Sequence, residues 1–268
     1  MFSCSTASLL ALILAAAAPS LADDNARSVS TLEFKNKFRE SGIVPEVIAA
    51  LDPAVSFYVT YKAADGHSEL LVPGSSLTVG ETAQPLEFSV ENLQNATNIT
   101  AQTRYLIYLL DADAPARSNP TARNLRYFLA GNYSAATANS TVLSTAQRLV
   151  IPAGQARPFT SFIQPTPTAN SGVHRFIYAL YTQPVRFSSA GFESVGMEEA
   201  IENWNLSRWR TQLGLGPAIG ATFFTVDTGA NNGQGTSNVP AAGSSAAGMG
   251  IPLAMAGVAA LLGFMALA

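Results

Sequence analysis

Two carboxylate side chains stand two positions apart where an apolar stretch of the chain ends. The stretch covers residues 105–110, and Asp111 and Asp113 follow it, with Pro115 and Arg117 completing a segment of seven residues. Ionised groups at the edge of a core need partners, because burying them alone is very costly. Two interpretations remain open: a polar turn in which Arg117 pairs with one of the carboxylates, or the wall of a binding pocket.

Histidine is the side chain that most readily exchanges a proton near neutral pH, and the chain has two. His67 lies in the polar segment of residues 65–68, and we expect it to be exposed. His174 opens a strongly apolar and aromatic segment, next to Arg175. A histidine at the end of a strand either supports the fold or shares a pocket with Asp111, and the residue pattern leaves both open.

Residue patterns typical of catalysis are absent from the sequence. It has no G-x-S-x-G segment, no H-E-x-x-H segment and no glycine-rich phosphate loop. Its single cysteine, Cys4, lies within the first 22 residues, which excludes a thiolate site in the rest of the chain. A hydrolase that uses Asp111 and His174 lacks an evident nucleophile. We therefore predict that the protein is not an enzyme, and that it has no catalytic residues, no metal site and no cofactor.

The composition argues against a nucleic-acid-binding protein. The 268 residues carry a formal net charge of −3, and only 12% of them are charged. Proteins that bind nucleic acid need a dense basic surface to neutralise phosphates. Because 48% of the residues are apolar, the chain can build a substantial core. We expect a single domain with no nucleic-acid partner.

The start of the chain has the composition of a secretory signal. Residues 9–18 form an unbroken apolar run that is too short to span a bilayer, and Ser20, Leu21 and Ala22 fit a cleavage site. We predict that residues 1–22 are a cleaved signal peptide. A retained N-terminal anchor is the alternative.

The end of the chain has a second processing pattern. Residues 228–250 are rich in Gly, Ser, Asn and Ala and form a flexible linker, and residues 251–268 are an apolar tail that ends the chain. This order predicts a GPI-anchor signal, because a membrane-spanning helix would usually have basic residues beside it. The mature domain is then residues 23–227. We expect it to be secreted, at the plasma membrane or cell wall, with membrane contact only through the lipid anchor.

N-glycosylation sequons also support the prediction that the protein is secreted. An Asn-x-Ser/Thr sequon marks a surface position in a secreted protein. The chain has five of them, at Asn95, Asn98, Asn132, Asn139 and Asn205.

Short apolar segments dominate the mature domain. Alternation over residues 55–61 predicts a half-buried strand. Ser30 and Glu33 form a capping box that predicts a helix through Ser41, with Phe34 and Phe38 on its buried face. A second helical turn is predicted at residues 45–51 and a C-terminal helix at 197–213. Further strands are predicted at residues 70–72, 86–90, 104–110, 125–130, 149–151, 173–181 and 219–226, with a Ser/Thr/Asn-rich loop before 147.

Two separated motifs resemble those of the phosphatidylethanolamine-binding protein family. The D-P-D-x-P-S-R motif of the family is similar to residues 111–117, with Ala112 and Ala116 in place of Pro and Ser. Its G-x-H-R-Y motif is similar to residues 172–176, and its C-terminal helix and last strand resemble residues 209–224. The resemblance covers residues 34–226, and the two processing patterns suit a secreted, fungal-type member.

The resemblance implies a fold and a binding site. The fold would be mostly β with peripheral helices (α+β), a central antiparallel sheet packed by a smaller sheet. The site would be a small anion pocket at one edge of the sheet, with Asp113 and Arg117 bracing its rim. By position, the ligand-binding residues would be Asp111, Asp113, Tyr127, Pro167 and His174, with support from Pro115, Arg117, Gly172 and Arg175.

The chain departs from the family pattern at two polar positions of this pocket. Tyr127 stands where the family usually has a second histidine, and Phe176 stands where it has a tyrosine. A tyrosine can donate one hydrogen bond, but it does not become cationic near neutral pH. The resemblance therefore implies a protein that binds a phospholipid head group or another small anion, with weakened or altered affinity. The alternatives are an inhibitor of a serine carboxypeptidase, or a regulatory interaction protein, with a vestigial pocket.

Overall fold

The structure is a computed structural model in which residues 27–154, 158–184, 187, 201, 202, 204 and 206–229 are described. The predicted signal peptide, the linker beyond residue 229, the apolar tail and the sequon at Asn205 lie outside the described residues. So does the beginning of the predicted C-terminal helix. No helix among the described residues combines the length and the hydropathy that crossing a membrane requires.

Strands make up most of the regular secondary structure among the described residues. The α-helices whose bounds are described are α1 (Thr31–Glu40), α2 (Ile43–Glu46) and α3 (Leu206–Leu213), and short 3-10 turns lie at Val79–Glu81 and Leu93–Asn95. The strands are β1 (Ser56–Lys62), β2 (Ser68–Leu70), β3 (Ser75–Leu77), β4 (Glu87–Glu91), β5 (Tyr105–Asp111), β6 (Leu125–Asn139), β7 (Gln147–Val150), β8 (Val173–Thr182) and β9 (Gly220–Asp227). The predicted strands are thus present, and the predicted mostly β class with peripheral helices is confirmed.

All nine strands belong to one curled sheet in the order β2-β1-β4-β7-β6-β5-β8-β9-β3. Neighbouring strands are antiparallel except β3 and β9, which are parallel. The predicted second, smaller sheet is not seen as a separate layer. Instead β6 continues for 15 residues, its first part pairing with β5 and its last part with β7. The sheet is therefore mixed and continuous, and it folds over its own inner face.

The length of β6 corrects the prediction of a loop before residue 147. Residues 131–139 are polar and small, and their composition is typical of loops, yet they continue the strand. Gly, Asn and Ala, which fill six of these nine positions, are depleted in strands, but partners in β5 and β7 pair with the backbone of this segment. Tertiary pairing thus decides its conformation.

The curl closes where β9 approaches β1. The backbone N–H groups of Ala54 and Val55 both donate to the carbonyl of Ile219, at 2.8 and 3.0 Å. A Cβ atom at Gly220 would lie 2.8 Å from Cβ of Phe57, so only glycine allows this approach. The inner face of the curl then holds the largest apolar cluster, which contains Phe57 of β1, Phe176 of β8 and Phe224 of β9.

The outer face is covered by helices and loops. Ser30 caps α1 by accepting a hydrogen bond from the backbone N–H of Glu33 at 3.1 Å, and Phe34 and Phe38 are fully buried, as predicted. Phe38 meets Phe223 of β9 edge to face at 4.9 Å. This cover corrects the prediction that the first strand is half-buried, because six of the seven residues of β1 are buried.

Candidate functional site

The end of β5 lies beside the start of β8, and this contact brings Asp111 and His174 together. The two strands are antiparallel neighbours with Asp111 opposite Phe176. Nδ1 of His174 lies 2.7 Å from Oδ2 of Asp111, and each side chain is 1% exposed. The other carboxylate oxygen, Oδ1, accepts the backbone N–H of Asp113 at 2.8 Å. Asp111 therefore fixes the orientation of the ring and favours a proton on Nδ1.

Ser171 completes a chain of three polar side chains, and the sequence analysis missed it. Its Oγ lies 2.7 Å from Nε2 of His174 and also donates to the carbonyl of Thr168. The turn that presents Ser171 has positive φ at Asn170 (61°) and Gly172 (88°). Gly172 suits this conformation because it lacks a side chain. The position of Ser171 three residues before His174 was the available signal, but the composition of the loop gives no reason to select it.

Thr228 anchors the same turn from the end of the last strand. Its Oγ1 accepts the backbone N–H of Ser171 at 3.0 Å and donates to the carbonyl of Gly172 at 3.0 Å. Its backbone N–H also donates to Gly172. Thr168 on one side and Thr228 on the other thus hold Ser171 in place, and Ser171 is partly buried at the end of the sheet.

Tyr127 and Phe176 form an apolar wall next to the Asp111–His174 pair. Their rings meet edge to face at 5.4 Å, and His174 stacks on Phe176 at 6.4 Å. Burial, and then the negative charge of Asp111, raise the pKa of Tyr127 to about 12. Tyr127 therefore remains a neutral phenol at physiological pH, and it can donate a hydrogen bond but no positive charge.

Asp113 lies on the opposite face of the sheet from Asp111 and does not share its pocket. One oxygen, Oδ2, accepts the backbone N–H and Nε of Arg175 at 2.9 and 2.8 Å, and Oδ1 accepts Nη2 at 2.6 Å. Burial opposes the charge of Arg175, but Asp113 and Glu46 outweigh it and raise the pKa of the guanidinium. The predicted role of Asp113 in ligand binding is not supported by this geometry, because Arg175 occupies both carboxylate oxygens.

Arg117 pairs with neither of the two carboxylates that precede it. Its Nη2 contacts Oε2 of Glu46 at 3.2 Å, and Nη2 of Arg123 contacts Oε1 at 3.1 Å. Arg175 reaches the same carboxylate at 3.0 Å. The ion pair within the turn, one of the two interpretations that the sequence left open, is therefore not formed: Arg117 pairs instead with Glu46 of α2, which lies far away in sequence.

The two prolines of the predicted pocket have different surroundings. Pro115 follows a cis peptide bond in the segment that connects Asp113 to Arg117. Pro167 is half-buried, immediately before Thr168, whose carbonyl holds Ser171. Among the described residues, no group of three or more His, Cys, Asp or Glu side chains is placed to hold a metal ion.

The site offers two kinds of chemistry. Hydroxyl and ring N–H groups at Ser171 and His174 can donate to an anion, and Asp111 balances the charge of a protonated ring. The same order of Ser, His and Asp also occurs in nucleophilic hydrolases. Here, however, the Ser171 hydroxyl donates to the Thr168 carbonyl, so it is not free to give its proton to His174 as a nucleophilic serine would, and it can donate to an anion only after rotating away from Thr168.

The comparison with protein families bears on the choice between anion binding and hydrolysis. The model described as phosphatidylethanolamine-binding protein matches residues 67–224, which include Asp111, Tyr127 and His174. The chain belongs to the phosphatidylethanolamine-binding protein family. The family is thus one of binding proteins by its description, and the two motifs that suggested it lie inside the matched region.

Two solved structures have a similar fold. A carboxypeptidase Y inhibitor, crystallised in complex with its cognate proteinase, matches 74% of this chain and 97% of its own at 16% identity, with a TM-score of 0.59. A phosphatidylethanolamine-binding protein from Plasmodium vivax matches 71% of this chain and 95% of its own at 15% identity, with a TM-score of 0.50. Identities this low establish the common fold and nothing further.

A curated relative is the 26 kDa secreted antigen of Toxocara canis. It is 23% identical over 189 residues, which cover 70% of this chain. The match spans 62% of the length of that antigen. The relative is a secreted protein, and it is distant from this chain.

The four sequons that the structure describes differ in accessibility. Asn95 and Asn98 are exposed in the loop before β5. Asn132 exchanges hydrogen bonds with the side chain of Gln183. The amide of Asn139 donates to the carbonyl of Ser144 at 2.6 Å. A glycan on Asn139 would interfere with its hydrogen bond to Ser144. Asn95 and Asn98 are therefore better placed to carry a glycan.

Proposed function

We propose that this chain is a secreted or cell-surface member of the family that binds a phospholipid head group or another small anion at the Asp111–His174 site. The observation that carries the proposal is the pair itself, buried at the sheet edge with Ser171 at the outer nitrogen of the ring. A phosphate oxygen can accept hydrogen bonds from the Ser171 hydroxyl and from the ring of His174, which Asp111 holds in orientation. Tyr127 and Phe176 make the pocket poorer in polar contacts than the family pattern, so we expect modest affinity.

The location remains part of the proposal. The apolar start and tail of the sequence support a signal peptide at residues 1–22 and GPI anchoring through residues 251–268. The relative in Toxocara canis is described as secreted, which supports export but not anchoring. A fungal-type cell-wall protein suits the same features. Membrane contact would then come from the anchor, and the domain of residues 23–227 would face outward.

Anion binding is tested by following the two histidines in a nuclear magnetic resonance titration. We expect phosphoethanolamine at millimolar concentration to shift the ring nitrogens of His174 and the backbone amides of Ser171 and Gly172. His67 is the internal control, because its side chain is 49% exposed beside Asp65. Inorganic phosphate and phosphocholine in parallel titrations separate recognition of a head group from recognition of phosphate alone.

Matched variants assign the binding to the site. Asp111→Asn and Ser171→Ala are each expected to weaken binding by about tenfold, because the first removes the carboxylate that orients His174 and the second removes the hydroxyl beside Nε2 of the ring. His67→Ala is expected to leave it unchanged. If none of the three ligands shifts His174 at millimolar concentration, the proposal is wrong.

A second candidate function is inhibition of a serine carboxypeptidase. It is supported by the similarity in fold to a carboxypeptidase Y inhibitor, of which this chain covers 97%. We expect a complex that survives gel filtration and lowers peptidase activity, and that is insensitive to Asp111→Asn because the contact would not involve the pocket. Normal peptidase activity with a large excess of this protein would exclude this candidate.

A further inference from the structure

A cavity of about 380 Å³ opens on the inner face of the curled sheet. This volume lies in the range of small-molecule pockets, ~300–1,000 Å³. The cavity is lined by the beginning of β4 and the segment before it, the middle of β6, the end of β7 and the segment around Phe162. Neither Asp111 nor His174 nor Ser171 lines it, so it is separate from the candidate anion site.

Four aromatic rings form the wall of the cavity. The ring centroids of Phe88 and Phe128 lie 6.0 Å apart in a stacked arrangement, and Tyr133 meets Phe88 edge to face at 5.6 Å. Phe162 packs on Phe128 at 6.4 Å. Leu86 also lines the cavity and is 52% exposed, so the cavity is open to solvent on this side. An aromatic ligand could enter there and add further ring contacts of the same kind.

A β-bulge turns Tyr133 toward this cavity. In a regular strand Ala130 and Tyr133, which are three positions apart, would face opposite sides of the sheet. Ala130 pairs with Ile107 of β5, whereas Tyr133 pairs with Tyr105, only two positions away from Ile107. β6 therefore has one extra residue here, and Asn132 within it has a φ of 63°. As a result Ala130 and Tyr133 both belong to the inner face and both line the cavity.

The hydroxyl of Tyr133 is a hydrogen-bond donor without an acceptor. Tyr133 is 7% exposed, and no residue in the described part of the chain forms a hydrogen bond with it. Its oxygen is not sealed inside the protein, because the fully buried polar atoms that lack a partner there belong to other residues. Burial raises the pKa of Tyr133, so the hydroxyl keeps its proton. Buried tyrosine hydroxyls usually have a partner, and an acceptor on a ligand would supply one.

We propose that this cavity binds a neutral aromatic molecule with one carbonyl group, such as an aromatic ketone or ester. Its rings pack against the four aromatic side chains, and its carbonyl oxygen accepts the hydrogen bond of the Tyr133 hydroxyl. The charged residues of the lining select against an anion, because Nε of Arg148 already lies 3.1 Å from Oε2 of Glu87. A carboxylate on the ligand would therefore be buried without a cation of its own.

Three naphthalenes of nearly the same shape test the chemical class of the ligand. With the full chain, 2-acetylnaphthalene is expected to shift the amides of Phe128 and Tyr133, and 2-naphthoate to bind at least about tenfold more weakly. The third ligand, 2-ethylnaphthalene, has the same rings and no acceptor. The amides of Ser171 and Gly172 should not move, so the result is separate from that for anion binding. Absence of 2-acetylnaphthalene binding at its solubility limit, or equal binding of 2-naphthoate, would overturn the proposal.

Tyr133→Phe tests the hydrogen bond. The variant is expected to bind 2-acetylnaphthalene about fivefold more weakly and 2-ethylnaphthalene as before, because only the first ligand has an acceptor. Its fold should be intact, since the lost hydroxyl has no partner in the described part of the chain, and its unfolding midpoint checks this. Tyr105→Phe removes a buried tyrosine hydroxyl outside the lining of the cavity and is the control. If Tyr133→Phe weakens both ligands equally, or neither, the proposal is wrong.

Phe162→Ala tests the location of the rings. It removes a partly buried ring from the wall and leaves the strands and the Tyr133 hydroxyl in place. We expect both 2-acetylnaphthalene and 2-ethylnaphthalene to bind about fivefold more weakly, because both lose the same apolar contact area. Unchanged affinity for both ligands would contradict the assignment to this cavity.

Discussion

Replacing Arg175 by methionine is expected to lower the free energy of unfolding by about 3–5 kcal/mol, because it leaves a buried carboxylate without its partner. Asp113 is fully buried and Arg175 is 1% exposed. Three hydrogen bonds of 2.6–2.9 Å join them, two of them from the guanidinium. For a domain of this size the loss corresponds to roughly 10 °C in Tm. Denaturant unfolding followed by circular dichroism measures it.

Removing the charges of both Arg175 and Asp113 shows whether the loss of stability comes from the unpaired carboxylate or from disruption of the fold. The double variant Arg175→Met with Asp113→Leu is expected to recover most of the lost stability, because an apolar pair of similar volume carries no unpaired charge. Arg117→Met is the surface control: its side chain is 37% exposed in the pair with Glu46, so it should cost at most about 1 kcal/mol. If the double variant is as unstable as Arg175→Met alone, the buried pair is not the cause.

The same substitution at Arg126 is expected to have the opposite outcome. Arg126 is 2% exposed, and no carboxylate among the described residues pairs with it. Its Nε donates to Thr160 at 2.8 Å, but Nη1 is buried with no hydrogen-bond partner in the part of the chain that the structure describes. Burial lowers the pKa of this guanidinium to about 10, so the charge persists at neutral pH. Arg126→Met should leave stability unchanged or raise it by about 1–2 kcal/mol.

The contacts of the guanidinium explain why methionine is a suitable replacement. Arg126 lies over the rings of Phe159 and Trp204, at 5.3 and 5.1 Å from their centroids. A methionine keeps a flexible side chain against these rings and makes favourable sulfur–aromatic contacts. Thr160 loses one hydrogen bond, worth about 1 kcal/mol. A measured loss of more than about 2 kcal/mol would contradict the prediction and would mean that the charge has an anionic partner in the folded protein.

Comparison of these two arginines shows what local sequence can predict. The sequence placed Arg175 next to His174 at the start of a strand, and alternation put the two on opposite faces. It placed Arg126 next to Tyr127 in the same way. It did not reveal which of the arginines has a carboxylate partner, because Asp113 lies 62 residues away from Arg175 and only the sheet brings them together.

The elements were predictable where the residues themselves have a strong periodicity or capping pattern. Ser30 and the pair Phe34 and Phe38 defined α1, and apolar alternation defined β1. The second half of β6 has neither signal, since its residues are small and polar, and it became a strand through pairing with β5 and β7. Because β6 pairs with both β5 and β7, it joins the two halves into one continuous sheet. The local residue pattern therefore could not predict this sheet architecture.

The candidate site around Asp111 and His174 also has parts that local sequence predicted and parts that it did not. The motifs around Asp111 and His174 were recognisable because their residue types and order resemble those of the family, and the family match contains both. The role of Ser171 depends on a turn held by Thr168 and Thr228, and Thr228 is 57 residues away in sequence. The partner of Arg117 is Glu46, again a distant residue.

By itself, the sequence determined the family, the mostly β class and the two residues at the centre of the site, because these depend on residue type, spacing and order along the chain. Only the tertiary structure decided which polar side chains pair: Asp111 with His174, Asp113 with Arg175, and Glu46 with Arg117. The reason is physical. A charge at the edge of a core binds the nearest opposite charge in space, and in an antiparallel sheet that neighbour usually comes from another strand or helix.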